Sequence, residues 1–209
     1  GAVREVLVIA AAISVQDPRI RPPGEEQQAD RAHRRFVHKE SDFLSLLNIW
    51  EAFHDTLEKL RTQRSVRRFC KEHYLSYNRM REWRDIHSQL RQSVREIDGF
   101  QNRKGVAGYE AIHRSILSGL LSNVGQKKEF NHFRAARGRE VMLFPGSGLF
   151  QHKRSEKAQT DDRTPAWIVA AEMVETSRLF ARTVASVQTT WLAELGEHLC
   201  TSSFKDPFW

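Results

Sequence analysis

The chain has 209 residues, of which 40% are hydrophobic and 28% are charged, a balance typical of a folded domain and not of a disordered or fibrous chain. Lysine and arginine number 33 against 26 aspartates and glutamates, which gives a net charge of +7. Such an excess favours a polyanionic partner, nucleic acid first, although many basic proteins bind none. Two cysteines are too few for a disulfide framework and suit a reducing cytosol, so we expect a cytoplasmic protein.

The first predicted element is a helix over Val3 to Val15, closed by Asp17-Pro18 because proline cannot continue a helix. Its uninterrupted apolar stretch, Val6 to Ile13, is far shorter than the roughly 20 residues that cross a bilayer. We therefore expect a buried helix and no membrane partner. The chain begins with Gly1 and ends in apolar residues, so we expect an excised fragment of a longer protein.

The next segment, Arg21 to Arg35, is rich in Pro, Gly, Glu, Gln and Arg and has almost no apolar side chains. It predicts an exposed, mobile connector that extends as helix near Ala29 to Phe36. Asp42 is then expected to cap a strongly amphipathic helix that runs to Leu60. A second amphipathic helix follows and places Val66, Phe69, Cys70, His73 and Tyr74 on one side.

A third helix, predicted over Tyr77 to Ile97, has an apolar seam and a row of arginines on its opposite face. Cations of one sign along a helix can neutralise successive phosphates of a nucleic acid. Alternatively, the same face is simply solvated and its arginines pair with neighbouring acidic residues, and spacing alone does not separate the two. The candidate nucleic-acid ligands on this helix are Arg79, Arg81, Arg84, His87 and Arg91.

After a fourth predicted helix, from Tyr109 to Leu120, short apolar segments alternate with turn residues. Segments of this length and spacing predict small antiparallel strands. They cover Leu120 to Val124, Glu129 to Ala136 and Val141 to Phe144, with turns at Arg137-Gly138 and Pro145-Gly146. Residues Trp167 to Val187 conflict with this pattern, because their composition taken alone favours helix.

No chemistry-bearing constellation is predicted. The sequence contains neither a Gly-x-x-x-x-Gly-Lys-Ser/Thr pattern nor an Asp-Glu-Ala-His motif, so we expect this fragment to be inactive as an ATPase by itself. Cys70-x-x-His73 and His198-x-Cys200 do not have the spacing of structural zinc sites, and core packing explains the first pair better. Paired carboxylates such as Glu172 and Glu175 lack a nucleophile or a histidine partner.

A second basic surface is predicted around the strands, where aromatic side chains interleave with cations. Rings that stack on bases and cations that hold the backbone are what single-stranded nucleic acid requires. Strand alternation must bury one of Phe130 and Phe133, so at most one is available for stacking. The candidates here are Lys127, Lys128, Phe130, His132, Arg134, Arg137 and Arg139, with Lys153 and Arg154 in the polar loop beyond.

The run Phe144-Pro145-Gly146-Ser147 and, after the polar loop, a segment that starts at Trp167 and contains Glu175-Thr176-Ser177-Arg178 resemble the C-terminal oligonucleotide-binding (OB) fold of DEAH-box RNA helicases, most closely the bacterial HrpA type. Tyr77-Asn78-Arg79-Met80 with Ile86-His87-Ser88-Gln89-Leu90 resembles the long ratchet-domain helix of the same family. The segment from Tyr109 to Val124 resembles the passage from ratchet to barrel.

The resemblance implies an α+β fold, in which a helical, ratchet-like bundle precedes a small antiparallel barrel with a C-terminal helix. The implied domains are a helical domain over 1–117, with an exposed connector at about 18–38, an OB fold over 118–200, and the start of a further region at 201–209. It implies strands over Trp167 to Thr176 and Leu179 to Val187, and a last helix, Trp191 to Leu199, capped by Thr189 or Thr190.

In such helicases the ratchet and barrel close over single-stranded RNA, while two RecA-like lobes, absent from this sequence, bind ATP and Mg²⁺. The expected function is therefore an accessory RNA clamp, with Arg178 as a further candidate contact and the RecA-like lobes of the same polypeptide as partners. A protein-interaction platform for a helicase activator, using the loop Gln151 to Pro165, and a stand-alone nucleic-acid-binding module are the alternatives.

Overall fold

The computed structural model describes residues 1–60, 62–97, 105–151 and 164–199. The chain divides into two compact units. The helical unit comprises Gly1–Ile112 together with the short segment Gly146–Leu149, and the barrel unit comprises His113–Pro145 and the residues from Phe150 onward. In the described part of the chain, no helix has the length and apolar character that crossing a membrane requires.

The helical unit is built around large side chains that the amphipathic patterns place inward. Phe43, Phe53 and Trp83 are fully buried, and the indole Nε1 of Trp83 donates a hydrogen bond of 2.9 Å to the carbonyl of Val8. The predicted helices are confirmed with small shifts at their ends. They are α1 (Val3–Ile13), α2 (Glu26–His33), α3 (Asp42–Leu60), α4 (Gln63–Glu72), α5 (Tyr77–Arg95) and α6 (Tyr109–Gly119), the last of which continues into the barrel unit.

The predicted connector contains more helix than expected, because α2 and a following 3₁₀ turn extend from Glu26 to Phe36, whereas helix was predicted only near Ala29 to Phe36. Three side chains spaced along this segment, Ala29, His33 and Phe36, are buried. The hydroxyl of Tyr74 also donates to the carboxylate of Glu25 at 2.6 Å. A segment with few apolar residues can therefore pack against the rest of its unit when those few side chains are buried.

The cap of α3 also differs from the prediction. Asp42 lies inside the first turn of the helix, and the residue before it supplies the cap, since the hydroxyl of Ser41 accepts a hydrogen bond of 3.1 Å from the backbone N–H of Leu44. The Asp42 carboxylate instead accepts a hydrogen bond from Gly148.

The barrel unit contains a closed barrel in the strand order β1-β2-β3-β5-β4. The strands are β1 (Val124–Glu129), β2 (His132–Ala135), β3 (Glu140–Leu143), β4 (Trp167–Glu175) and β5 (Leu179–Ser186), and helix α7 (Thr189–Leu195) follows them. Neighbouring strands are antiparallel except β3 and β5, which pair in parallel. The predicted α+β architecture with a C-terminal helix is confirmed.

The first two strands begin and end at other residues than predicted. Leu121–Asn123 form a 3₁₀ turn, β1 starts at Val124, and Glu129 ends a strand instead of opening one. The turn falls at Phe130-Asn131, where Asn131 adopts a left-handed φ of 56°. Asparagine tolerates this conformation, so Asn131 allows the tight turn that the aromatic neighbours obscured in the sequence.

The two strands expected in Trp167 to Val187 are confirmed, although their composition favours helix. Ile168, Val169 and Ala170 are all fully buried, and β4 pairs with both β1 and β5. Pairing on two sides and burial outweigh a local preference of a few tenths of a kcal/mol per residue. The predicted threonine cap of α7 was wrong, because Gln188 occupies the cap position without a side-chain hydrogen bond.

Candidate nucleic-acid interface

Helix α5 is held so that one side faces the core and the other faces solvent. Ser76 caps its start, and the Ser76 backbone N–H donates 2.7 Å to the carbonyl of Pro18. Met80 and Trp83 are fully buried. Arg81, Arg84 and Arg91 are exposed on this helix, and we define them as the arginine row.

The arginine row has no neutralising partner among the residues that the structure describes, since none of its three guanidinium groups forms an ion pair there. Other exposed arginines do form such pairs: Arg68 lies 2.8 Å from Glu72, and Arg21 lies 2.8 Å from Asp30. The sequence left open whether the row is paired with acidic neighbours, and within the described residues it is not.

Two further candidates on α5 are engaged in packing. Arg79 donates a hydrogen bond of 2.8 Å to the carbonyl of Asp17. The half-buried ring of His87 lies edge-on to Trp50, with centroids 4.7 Å apart. Burial lowers the pKa of His87, and the nearby charges of His54 and Arg91 lower it further, so its imidazole is neutral at neutral pH. A nucleic-acid role for these two residues stays a prediction.

A pocket of about 280 Å³ lies beside the arginine row, among helices α3, α4 and α5. Its wall combines apolar groups with cations, because Leu57 and Val66 line it together with Arg81 and Arg84. Arg67 adds further positive charge nearby, with its guanidinium 4.9 Å from the ring centroid of Tyr77, another lining residue. The pocket therefore combines positive charge with apolar surface.

On the barrel, three candidate arginines surround the turn between β2 and β3. Arg134, Arg137 and Arg139 are exposed, and the backbone N–H of Ala135 closes the turn by donating 2.8 Å to the carbonyl of Arg139. Arg137 and Gly138 have φ values of 60° and 72°, both left-handed. The turn therefore exposes three cations, and one of them, Arg137, has a left-handed backbone conformation that is unfavourable for most residues other than glycine.

The candidate lysines before this turn are engaged locally. Lys127 donates a hydrogen bond of 3.2 Å to the carbonyl of Thr164. Lys128 is paired with the Glu140 carboxylate, and this hydrogen bond holds the pKa of Glu140 below its usual value. Each lysine thus has a protein acceptor that a phosphate would have to replace.

The remaining candidates are dispersed. Phe133 is fully buried, so stacking is left to Phe130, which lies half-buried in the β1–β2 turn. His132 is half-buried on β2, and Arg178 is exposed in the turn between β4 and β5. Lys153 and Arg154, together with most of the loop Gln151 to Pro165, lie outside the described residues.

Sequence reasoning missed a second group of aromatic and cationic side chains on the barrel. Phe144 is 38% exposed, its ring stands edge-on to Phe180, and the guanidinium of Arg182 lies 4.8 Å from its centroid. These residues are far apart in the sequence and meet only because β3 and β5 pair in parallel. Alternation along β5 could have placed Phe180 and Arg182 on one face, but nothing local indicates the pairing with Phe144.

The described residues contain no group of three or more histidine, cysteine or acidic side chains arranged to hold a metal ion. Cys70 is a buried thiol, and burial raises its pKa to about 11, so it stays protonated and unreactive at neutral pH. The neighbouring His73 ring stacks on Phe69 with centroids 4.3 Å apart.

Known proteins show a consistent pattern of similarity. Residues 112–199 match a family model described as an oligonucleotide/oligosaccharide-binding (OB)-fold. The whole chain is 40% identical over 210 aligned residues to the ATP-dependent RNA helicase HrpA of Escherichia coli (strain K12), and equally to its homologue in Haemophilus influenzae. Over 95% of its length it is 28% identical to the probable ATP-dependent RNA helicase DHX35 of Homo sapiens.

The chain spans 15% of the length of each HrpA relative and 26% of the length of the human one. The OB-fold match covers the barrel described above together with α7. The chain is therefore a region of the DEAH-box RNA helicase family, of the HrpA type, and it contains that family's OB fold.

Proposed function

We propose that this region holds single-stranded RNA by its phosphate backbone, as the accessory clamp of an ATP-dependent RNA helicase during translocation and unwinding. The observation that carries the proposal is the arginine row on α5. Its members fall on one side of the helix and extend over about 15 Å along the axis, at 1.5 Å per residue. Cations spaced in this way can contact successive phosphates.

Energetics favour a ligand for this row. Arg81 and Arg84 are three residues apart, a spacing at which like charges destabilise a helix by a few tenths of a kcal/mol, and the described acidic residues do not offset this by ion pairing with the row. A guanidinium binds phosphate through two parallel N–H groups and remains charged at any physiological pH. The exposed arginines of the β2–β3 turn offer a second set of phosphate contacts on the barrel.

The relatives are named ATP-dependent RNA helicases, which supports RNA as the polyanion. In our proposal residues 1–117 act as the ratchet-like domain and residues 118–200 as the OB fold of a longer cytoplasmic protein. ATP and Mg²⁺ would bind in RecA-like lobes outside this region, and those lobes would be its partners.

The test is binding of a labelled single-stranded RNA to the 209-residue chain at a series of salt concentrations. For single strands the logarithm of affinity falls with the logarithm of salt by about 0.7 per phosphate contact. We expect a double substitution, Arg84→Gln with Arg91→Gln, to weaken binding at least tenfold and to reduce the salt slope by about 1.4.

The matched control is Arg21→Gln, which removes one exposed cation that Asp30 already neutralises. It should change neither affinity nor slope beyond a small general charge effect. If the double variant behaves like this control, the helix is not the clamp. Charge reversal at Arg134 and Arg139 applies the same test to the barrel, where unchanged RNA binding would favour a protein-interaction surface instead.

A further inference from the structure

We infer that Phe144, Phe180 and Arg182 form a stacking platform for the bases of the bound strand on the outer face of the barrel. The inference rests on the proposed function, to which it adds a second kind of contact. The arginine row would hold phosphates, whereas the stacking platform would hold planar rings.

The strand register brings the platform together. Met142 of β3 is the parallel partner of Phe180 on β5, and the backbone N–H of Phe144 donates 3.0 Å to the carbonyl of Ala181. On the antiparallel side, Phe180 is opposite Val174 of β4. The platform is therefore attached to backbone that is hydrogen-bonded into the barrel, which limits the entropy lost when a base binds.

Alternation places these side chains outward. Leu143 and Ala181 are fully buried, so their chain neighbours Phe144, Phe180 and Arg182 point away from the barrel interior. Met142 and Phe180 are half-buried, and Phe144 keeps 38% of its surface exposed. A large ring directly after β3, with this much exposed surface and a backbone hydrogen bond to β5, can contribute to binding without reorganising the fold.

The guanidinium already lies over one ring, and the two rings meet edge to face. Phe144 and Phe180 meet edge to face at 90°, with centroids 6.1 Å apart, and Arg182 lies 4.8 Å from the Phe144 centroid. Aromatic rings and guanidinium planes are the two protein surfaces on which unpaired bases stack. A base can extend this arrangement on the exposed surface of the ring or on the guanidinium.

The electrostatics favour bases over phosphates at this position. Arg182 lies 3.5 Å from the carboxylate of Glu172, its partner across β4 and β5. This carboxylate offsets the positive charge of Arg182 and repels phosphate, whereas a stacked base carries no net charge. Cations on neighbouring strands, among them Arg134 on β2, would keep the backbone close by.

The experiment compares two oligomers of equal length, one of single-stranded RNA and one with the same phosphates but no bases. We expect Phe144→Leu in the full 209-residue chain to weaken binding of the base-bearing oligomer about fivefold or more, while binding of the abasic oligomer and the salt slope stay unchanged. Phe144→Trp should bind the base-bearing oligomer at least as tightly as the unsubstituted chain, since tryptophan supplies a larger ring. The platform would be overturned if Phe144→Leu lost affinity equally for both oligomers or for neither. It would also be overturned if Phe144→Trp bound the base-bearing oligomer as weakly as Phe144→Leu does.

A second measurement needs no substitution. RNA carrying a photoreactive 5-iodouracil should crosslink to Phe144 or Phe180 of the wild-type chain, and crosslinks confined to other residues would overturn the inference even if Phe144→Leu fails to fold. The two proposals also fail separately. Salt-insensitive binding by the wild-type chain would refute the backbone clamp, whereas loss at Arg84 and Arg91 without loss at Phe144 would refute only the platform.

Discussion

The carboxylate of Asp42 accepts a 2.8 Å hydrogen bond from the backbone N–H of Gly148, 106 positions later in the chain. Gly148 belongs to the segment Gly146–Leu149, which lies between β3 and β4 in sequence but is part of the helical unit. A Cβ atom on Gly148 would lie 3.0 Å from both the carbonyl oxygen of His38 and the side chain of Val37. The Pro-Gly-Ser-Gly run therefore needs its last glycine for close packing against backbone.

Substitution of Gly148 should destabilise the helical unit. In Gly148→Ala the new methyl group would press on a backbone oxygen that cannot rotate away, and the Asp42 hydrogen bond would lengthen. We expect a loss of about 1–3 kcal/mol in the free energy of unfolding, measured by urea denaturation.

The matched control is Gly119→Ala, at the end of α6, where an added Cβ would meet nothing within 4 Å. Alanine is a better helix former than glycine, so this variant should be neutral or slightly stabilising. Equal midpoints for the two variants would show that the close approach at Gly148 carries no strain.

The helical unit was largely predictable because its signals are local. Apolar spacing predicted α3, α4 and α5, and it even placed Met80 and Trp83 on the buried side of α5. What spacing could not give was the choice between Ser41 and Asp42 as cap, because either side chain can accept the bond. Gly148, a distant residue, provides the Asp42 carboxylate with another donor.

The barrel depended on non-local information. Composition favoured helix across β4 and β5, and only the resemblance to a known family predicted strands there. The platform of Phe144 and Arg182 was missed for the same reason, since the parallel pairing of β3 with β5 leaves no trace in the sequence around either strand. Candidate cations could be named from the sequence, but their partners, such as Glu140 for Lys128, could not.

The stability of the helical unit should depend on pH through His33, His54 and His87. Burial is the main cause that lowers the pKa of each, and charges such as Arg84 near His54 add to it. Because the unfolded chain then binds protons more readily than the folded one, the free energy of unfolding should fall as pH drops below about 6.5. Asp17, whose pKa is lowered by Arg19 despite its burial, acts only at more acidic pH.

The measurement is urea denaturation between about pH 8 and pH 5, for the wild-type chain and for His54→Gln with His87→Met. The double variant should show a shallower decline. At about pH 8 the imidazoles are neutral in both states, so the difference there reports the uncharged contacts of the two rings, which include packing against Trp50 and the hydrogen bond between His54 Nδ1 and the Trp50 carbonyl. A wild-type chain that gains stability on acidification over this range would contradict the assignment.

Substitution of Asn131 by either glycine or alanine should lower the free energy of unfolding. Its side-chain amide donates 2.8 Å to the carbonyl of Gln151 and accepts 3.1 Å from the Gln151 N–H, while its own φ is 56°. Asn131→Gly keeps the backbone conformation but leaves both Gln151 groups unpaired, at a cost of about 1–3 kcal/mol. Asn131→Ala adds the left-handed strain, about 1 kcal/mol more.

The difference between the two variants is the informative quantity, because both lose the same hydrogen bonds. Chemical denaturation of the barrel unit within the full chain measures it. An alanine variant as stable as the glycine variant would mean that the β1–β2 turn relaxes to a different conformation.

Arg137 should trade stability against RNA binding. Its φ of 60° and ψ of 23° place an arginine in the left-handed region, so Arg137→Gly should stabilise the chain by about 0.5–1 kcal/mol. The same substitution removes an exposed cation of the proposed RNA surface and should weaken RNA binding a fewfold, with a salt slope lower by about 0.7.

Arg139→Gly is the control for the backbone contribution. Arg139 is extended, with a φ of −65°, so glycine there should destabilise the turn while removing an equal charge. Opposite changes in stability with similar losses of RNA affinity would identify Arg137 as a residue kept for its charge despite its strain; retained RNA affinity in both variants would remove the β2–β3 turn from the RNA surface.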